Sequence, residues 1–197
     1  MQNPDDLKRR LCFAIENTRQ SSSDFDLNPD LALPKPRPLK PAAVLVAVTE
    51  DAQVILTKRS TRLKYHPGQI AFPGGRQDDT DRDLTYTALR EAEEEIGLDP
   101  TLVNILGALP SHETVTNYVA TPIVGIIPSD LEFTPEVGEV SEVFTVPLDF
   151  IMDISKFAIE GRCWQGTRRQ YYTVPYGPYY IWGATARMLR GLAEQWT

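Results

Sequence analysis

The chain is poor in the residues on which many catalytic and binding chemistries rest. It carries two cysteines and two histidines in 197 residues. Cys12 and Cys163 stand far apart, with no CxxC pair and no metal-ligand spacing, which fits a reducing compartment. No G-x-S-x-G turn occurs, so His66 and His112 have no serine elbow to serve and read as loop or packing residues. Positive charge is also in deficit: 20 Lys and Arg against 27 Asp and Glu give a formal charge of −7 and a pI near 4.9. A nucleic-acid-binding face is therefore not expected. No apolar run is long enough to span a bilayer, and MQNPDDLKRRL lacks the basic, apolar and small-residue order of an export signal. A cytoplasmic protein with neither a membrane nor a nucleic-acid partner is the expectation.

What remains is an ordinary globular composition, 42% apolar and 24% charged, enough for one domain with a real core. Asn3-Pro4-Asp5-Asp6 carries an N-cap, a proline at the first helical position and acids in the first turn. Leu7, Leu11 and Ile15 follow at helical spacing, which predicts an amphipathic helix to about residue 17. Residues 19–41 are rich in Ser and Pro without a period and read as a linker or an extended surface wrap. Beyond them, AAVLVAVT (42–49) and QVILTKRS (53–60) predict a hairpin with a buried strand. A helix is predicted over 83–97, ended by Gly97, and strands over 102–109, 118–127 and 142–148. KFAIEG and RRQYYTVPYG predict a late hairpin, and YYIWGATARMLRGLAEQW a closing helix. This order of elements implies an α+β fold, an α/β/α sandwich.

Residues 90–96, REAEEEI, crowd four glutamates into five positions. On a helix, Leu84, Ala88, Leu89, Ala92 and Ile96 share one face, which is the core face. Glu91, Glu94 and Glu95 then lie along one edge of that stripe with Cβ atoms roughly 5–6 Å apart, whereas Glu93 points away into solvent. Two carboxylates about 4 Å apart repel by about 4 kcal/mol at an effective dielectric near 20. A divalent cation reverses that sign, and an oxygen-only donor set suits Mg²⁺ or Mn²⁺. Pro73-Gly74-Gly75 stands just ahead of the helix, and glycines there let backbone approach a metal or a phosphate. An acidic helix face alone is usually only wet; the glycine turn beside it is what points to a site.

At these residues the chain resembles the Nudix family. Arg90-Glu91-Ala92-Glu93-Glu94-Glu95-Ile96-Gly97-Leu98 matches the second half of the Nudix box. Between Gly75 and Arg90 the loop is one residue longer than the family pattern, and Asp81 stands where a glutamate is usual. In the family that position mainly braces the loop. Upstream, Ile55-Leu56-Thr57, Arg59-Ser60, Gly68 and Phe72-Pro73-Gly74-Gly75 resemble the added signature of the coenzyme A pyrophosphatase subgroup, with Lys64 in place of an arginine. A lysine keeps that charge but loses bidentate phosphate geometry. EVSEVFTVPL and IWGATARML also look like this subgroup.

The resemblance implies a Nudix-like sandwich with a mixed central sheet over 42–197, preceded by the helix and linker of 1–41. It implies Mg²⁺- or Mn²⁺-dependent cleavage of the coenzyme A diphosphate to 3′,5′-ADP and 4′-phosphopantetheine, or its acylated form. Glu91 and Glu95 would be the principal metal ligands, Glu94 a third, and the Gly74 carbonyl a further donor. Glu94, Glu139 and Glu142 are candidates for the base, and Arg90 would orient a glutamate. Arg59, Arg62, Lys64, Gly75 and Arg76 are expected to face the substrate. The aromatic cluster Tyr171, Tyr172, Tyr176, Tyr179, Tyr180 and Trp182 reads as core and dimer-facing packing, with adenine stacking as the alternative. Two other readings stay open: a Nudix hydrolase of another nucleoside diphosphate such as ADP-ribose, and a catalytically silent nucleotide sensor of the same fold.

Overall fold

A computed structural model describes residues 3–29, 38–164 and 166–196. Helix α1 (Pro4–Asn17) begins where the capping residues place it: the Asn3 side chain accepts from the Asp5 amide at 3.0 Å, and Leu7, Leu11 and Ala14 are buried. In chain order there follow β1 (Ser22–Ser23), β2 (Lys40–Thr49), β3 (Gln53–Arg59), β4 (Ile70–Ala71), β5 (Gly74–Arg76) and α2 (Leu84–Ile96). The second half holds β6 (Asn104–Ala108), β7 (His112–Glu113), β8 (Tyr118–Ile127), β9 (Val140–Pro147), α3 (Leu148–Met152), β10 (Ala158–Trp164), β11 (Thr167–Thr173) and α4 (Gly183–Ala193).

β1 to β9 form one mixed sheet, while β10 and β11 pair as a separate antiparallel ribbon. At the centre, β2 runs parallel to β8 from Lys40 opposite Tyr118 to Thr49 opposite Ile127. β3 lies antiparallel to β2 on one side and to β9 on the other. A strand covered on both faces needs apolar side chains at every position, which is why AAVLVAVT reads as one run rather than an alternation. The alternation is still there in three dimensions. Ala43, Leu45 and Ala47 point to the layer of α2, with Ala88, Ala92 and Ile96. Ala42, Val46 and Val48 point to the layer of α1, α3 and α4, with Leu11, Ile151 and Leu189. Each large aliphatic side chain buried there contributes about 1.5–3 kcal/mol. The α/β/α sandwich expected from the element order is the fold observed.

The differences are local. The strand expected from residue 102 starts at Asn104, because the Asp99 side chain caps a 3-10 turn over Pro100–Leu102. Leu148 opens α3 rather than ending a strand, since Pro147 breaks the ladder and Leu148, Ile151 and Met152 bury at helical spacing. The closing helix starts at Gly183: Trp182 bridges Thr173 and Tyr179 bridges Tyr176, so these aromatics extend a β-like turn. Their rings pack inward, Tyr179 stacked on Phe144 at 3.6 Å between centroids and Tyr176 edge-on to Phe150 at 5.0 Å.

Part of the segment 19–41 is a surface wrap. Ser22–Ser23 pairs in parallel with β7, and the buried Asn28 side chain bonds the Gln170 amide at 2.7 Å and its carbonyl at 3.0 Å. Residues 30–37 of that segment lie outside the described residues. His112 is fully buried, between Ser22 Oγ at 2.9 Å and Asp24 Oδ1 at 3.1 Å, and so pins the wrap to the sheet edge. His66 is exposed in the loop after β3. Cys12 is half-buried, Cys163 is exposed, and both are free thiols. Among the described residues no helix is long and apolar enough to cross a membrane.

Candidate active site

Helix α2 carries the acidic run and is fixed at both ends. Asp83 accepts from the Tyr86 amide at 2.7 Å at the N-terminus. At the C-terminus Gly97 adopts φ 69°, the left-handed conformation that glycine takes at little cost. The last helical carbonyls do not remain open. Ile96 O accepts from the Thr134 amide and Glu95 O from the Glu136 amide, both at 2.9 Å. The loop before β9 is therefore docked on the helix end, which brings Glu139 to the same side as the acidic run.

The three glutamates separate by depth. Glu95 is buried, 4% exposed, with one carboxylate oxygen accepting from the Gly74 amide at 3.1 Å. Glu91 is mostly covered, and its carboxylate lies over Gly75, where an added Cβ would stand 2.5 Å from Oε2. Glu94 is solvent-facing, with 61% of its side chain exposed, and bonds Arg90 at 2.9 Å. Glu93 is exposed, as its place on the helix predicts. Burial pushes the Glu95 carboxyl up to about 7, against the opposing pull of the Gly74 amide and of Arg59. Burial also raises Glu91, although Arg90 opposes it. Glu139 and Glu91 add repulsion at Glu95, so these three acids share one electrostatic environment.

Arg90 is the hub of the brace. Its Nε and Nη2 donate to both oxygens of Asp81 at 3.0 and 2.9 Å. Nη2 also reaches Glu91 Oε1 at 3.0 Å and the Arg76 carbonyl at 3.2 Å, while Nη1 holds Glu94. Asp81 is buried and further accepts from the Asp78 amide and the Thr87 hydroxyl, each at 3.0 Å. The hydrogen bonds from Arg90 hold its carboxyl far below the usual carboxylate range. Asp81 thus braces the loop from 78 to 83, and the extra loop residue accompanies a side chain one methylene shorter than glutamate.

The glycines differ in purpose. Gly74 has φ 152°, and a Cβ there would stand 2.4 Å from the Ala43 carbonyl oxygen, so the sheet itself demands glycine. At Gly75 the space is taken by the Glu91 carboxylate. Of the expected substrate-facing cations, Arg59 reaches the acidic group, with Nη1 at 3.7 Å from Glu95 Oε1. Arg62 and Lys64 are exposed on the loop that follows, and Lys64 lies over the Tyr65 ring at 5.4 Å. Arg76 is exposed and faces Asp78 at 3.6 Å. Glu142 is on the other face of the sheet. It shares that face with Phe144, two residues on, and accepts from the Tyr179 hydroxyl at 2.5 Å, away from Glu95.

Convergence is partial: among the described residues no three acidic, histidine or cysteine side chains form a ready-made cation cage. The donors nevertheless suit a hard divalent cation. They are all oxygen, two carboxylates have been raised by burial, and the missing Cβ of Gly75 leaves room for one of them.

Comparison with known proteins follows the same lines. The family model for the NUDIX domain matches residues 38–160. A protein named uncharacterized Nudix hydrolase NudL, from Escherichia coli O7:K1, is 42% identical over 156 residues, spanning 78% of this chain and 81% of its own. The protein of that name from Shigella boydii serotype 18 matches at the same identity and coverage. Among solved structures, the NUDIX domain of Shewanella oneidensis NrtR, complexed with ADP ribose, has a TM-score of 0.55 at 17% identity. The match covers 86% of this chain and 96% of that one, a likeness of fold alone. With the domain model over most of the chain, and the acidic helix, brace and glycine turn falling inside it, this chain belongs to the Nudix hydrolase family.

Proposed function

We propose that the protein hydrolyses the diphosphate of coenzyme A, free or acylated, to 3′,5′-ADP and 4′-phosphopantetheine, with Mg²⁺ or Mn²⁺ as cofactor. The observation that carries the hydrolytic part is the buried Glu95 carboxylate, held by the Gly74 amide beside Glu91. Two covered, mutually repelling acids are a costly arrangement without a cation between them and the substrate. Glu91 and Glu95 would hold the ion, with Glu94 at the solvent side and the Gly74 carbonyl as a further donor. When bound, the ion supplies positive charge to the diphosphate and acidifies an attacking water.

The chain's own residues supply the geometry. Arg90, anchored on Asp81, holds Glu91 and Glu94 in place. Glu139 is the favoured base among the three candidates. It shares the electrostatic environment of Glu91 and Glu95, whereas Glu94 is engaged by Arg90 and Glu142 by Tyr179. Its carboxylate would take the proton from the water that attacks phosphorus. Arg59, Arg62, Lys64 and Arg76 would meet the phosphates, with Gly75 allowing close approach.

Coenzyme A as substrate rests on the signature from Ile55 to Gly75, in which Arg59 and Gly74 occupy the positions just described. The test is chromatographic product analysis with coenzyme A, acetyl-coenzyme A and ADP-ribose, in Mg²⁺ and in EDTA. Release of 3′,5′-ADP from the first two, abolished by EDTA, is the expected result. Consumption of ADP-ribose with coenzyme A left intact would replace the substrate and keep the chemistry. Tight nucleotide binding with no turnover of any diphosphate would make the protein a sensor.

A further inference from the structure

Arg59 ends β3 at a register shift in its pairing with β9, on the face turned toward α2. Its Nη1 lies 3.7 Å from Glu95 Oε1, too long for a hydrogen bond. Its Nε is buried and has no hydrogen-bond partner among the described residues. A buried N–H without an acceptor is costly, and a pairing at that distance offsets the cost only in part. Glu95 for its part is buried with a single amide donor. Both groups are left incompletely satisfied next to each other, an arrangement that suits a side chain with a second partner.

We propose that Arg59 serves two partners in turn. Before a cation arrives, its guanidinium is the positive charge opposite Glu95. When a divalent ion takes that carboxylate, repulsion between like charges turns the guanidinium outward. Its Nε and Nη2 hydrogens, which point the same way, then meet the diphosphate oxygens as a fork. The inference rests on the reading of Glu91 and Glu95 as cation ligands, and it adds an order: cation first, diphosphate second.

Mn²⁺ binding to the substrate-free protein, read by electron paramagnetic resonance of the free ion, tests this. Arg59→Gln removes the competing charge and is expected to bind Mn²⁺ about threefold to tenfold more tightly than the unchanged chain, while KM for the diphosphate substrate rises. Arg59→Lys keeps the charge without the fork, so its Mn²⁺ affinity stays near the parent value while KM still rises. Glu95→Gln is expected to weaken Mn²⁺ binding tenfold or more. If Arg59→Gln binds Mn²⁺ no better than the parent while Glu95→Gln loses it, the counter-ion role is overturned and the cation site stands. If Glu95→Gln binds Mn²⁺ as the parent does, the cation site is overturned and Arg59's role with it.

Discussion

Two arginines stand beside the acidic run of α2 and are treated in opposite ways. Arg90 has all three nitrogens engaged, by Asp81, Glu91, Glu94 and a backbone carbonyl. Among the described residues, Arg59 has a buried Nε with no acceptor and a loose contact to Glu95. Saturated donors fix geometry and have nothing left to offer a ligand; unsatisfied donors are poor structure and good recognition. The Nudix box end of the site is therefore scaffold around Arg90, and the β3 end is the side that waits for a partner.

The largest effect expected on this contrast is at Glu95. Glu95→Gln should lower turnover by about a thousandfold, with circular dichroism unchanged, because only charge is removed from a position that already fits the core. The exposed Glu93→Gln serves as its silent control, and equal turnover in the two variants would refute the ligand assignment. Next comes the brace. Asp81→Ala leaves Arg90 without its main anion and should cost about 3 kcal/mol, seen as a Tm lower by roughly 6–12 °C in thermal unfolding. The glycines sharpen the division further. Gly75→Ala should displace the flexible end of Glu91, cutting Mn²⁺ affinity and turnover about tenfold with Tm nearly kept, whereas Gly74→Ala meets backbone and should lower Tm first.

The last effect is one of pH. The Glu95 carboxyl sits near 7 in the fold against an ordinary 4.5. Between those values the folded chain holds a proton that the unfolded chain has released, so stability falls as pH rises through that window and levels off above it. Thermal unfolding in EDTA from about pH 5 to 8 should show that decline, and saturating Mg²⁺, which prefers the ionised carboxylate, should remove it. A flat profile in EDTA would mean that Glu95 is solvated.

Much of this was legible in the sequence, and the exceptions share a cause. Spacings of three and four placed Glu91, Glu94 and Glu95 on one helix edge, and the capping residues set the start of α1 and the end of α2. Depth was not legible, since a helix wheel does not say that Glu95 is buried against Gly74 while Glu94 stays wet. Arg59 and Glu95 are brought together by the register of β3 and the layer of α2, which no local pattern encodes. The standing of Glu139 over Glu142 comes from the parity of β9 and from the docking of Thr134 and Glu136 on open helix carbonyls. Helix α3 escaped notice because its five residues are too few to show a period.

The long parallel pairing of β2 with β8 has a kinetic corollary. Joining residues so distant along the chain requires closing a large loop before any ladder bond forms, and such contacts make for slow folders. The acidic group draws on β3, β5, α2 and the approach to β9, which stand on the sheet that this closure completes. Ion affinity should then emerge together with global folding rather than ahead of it, and a refolding time course followed by metal uptake and by core fluorescence would give a single shared rate.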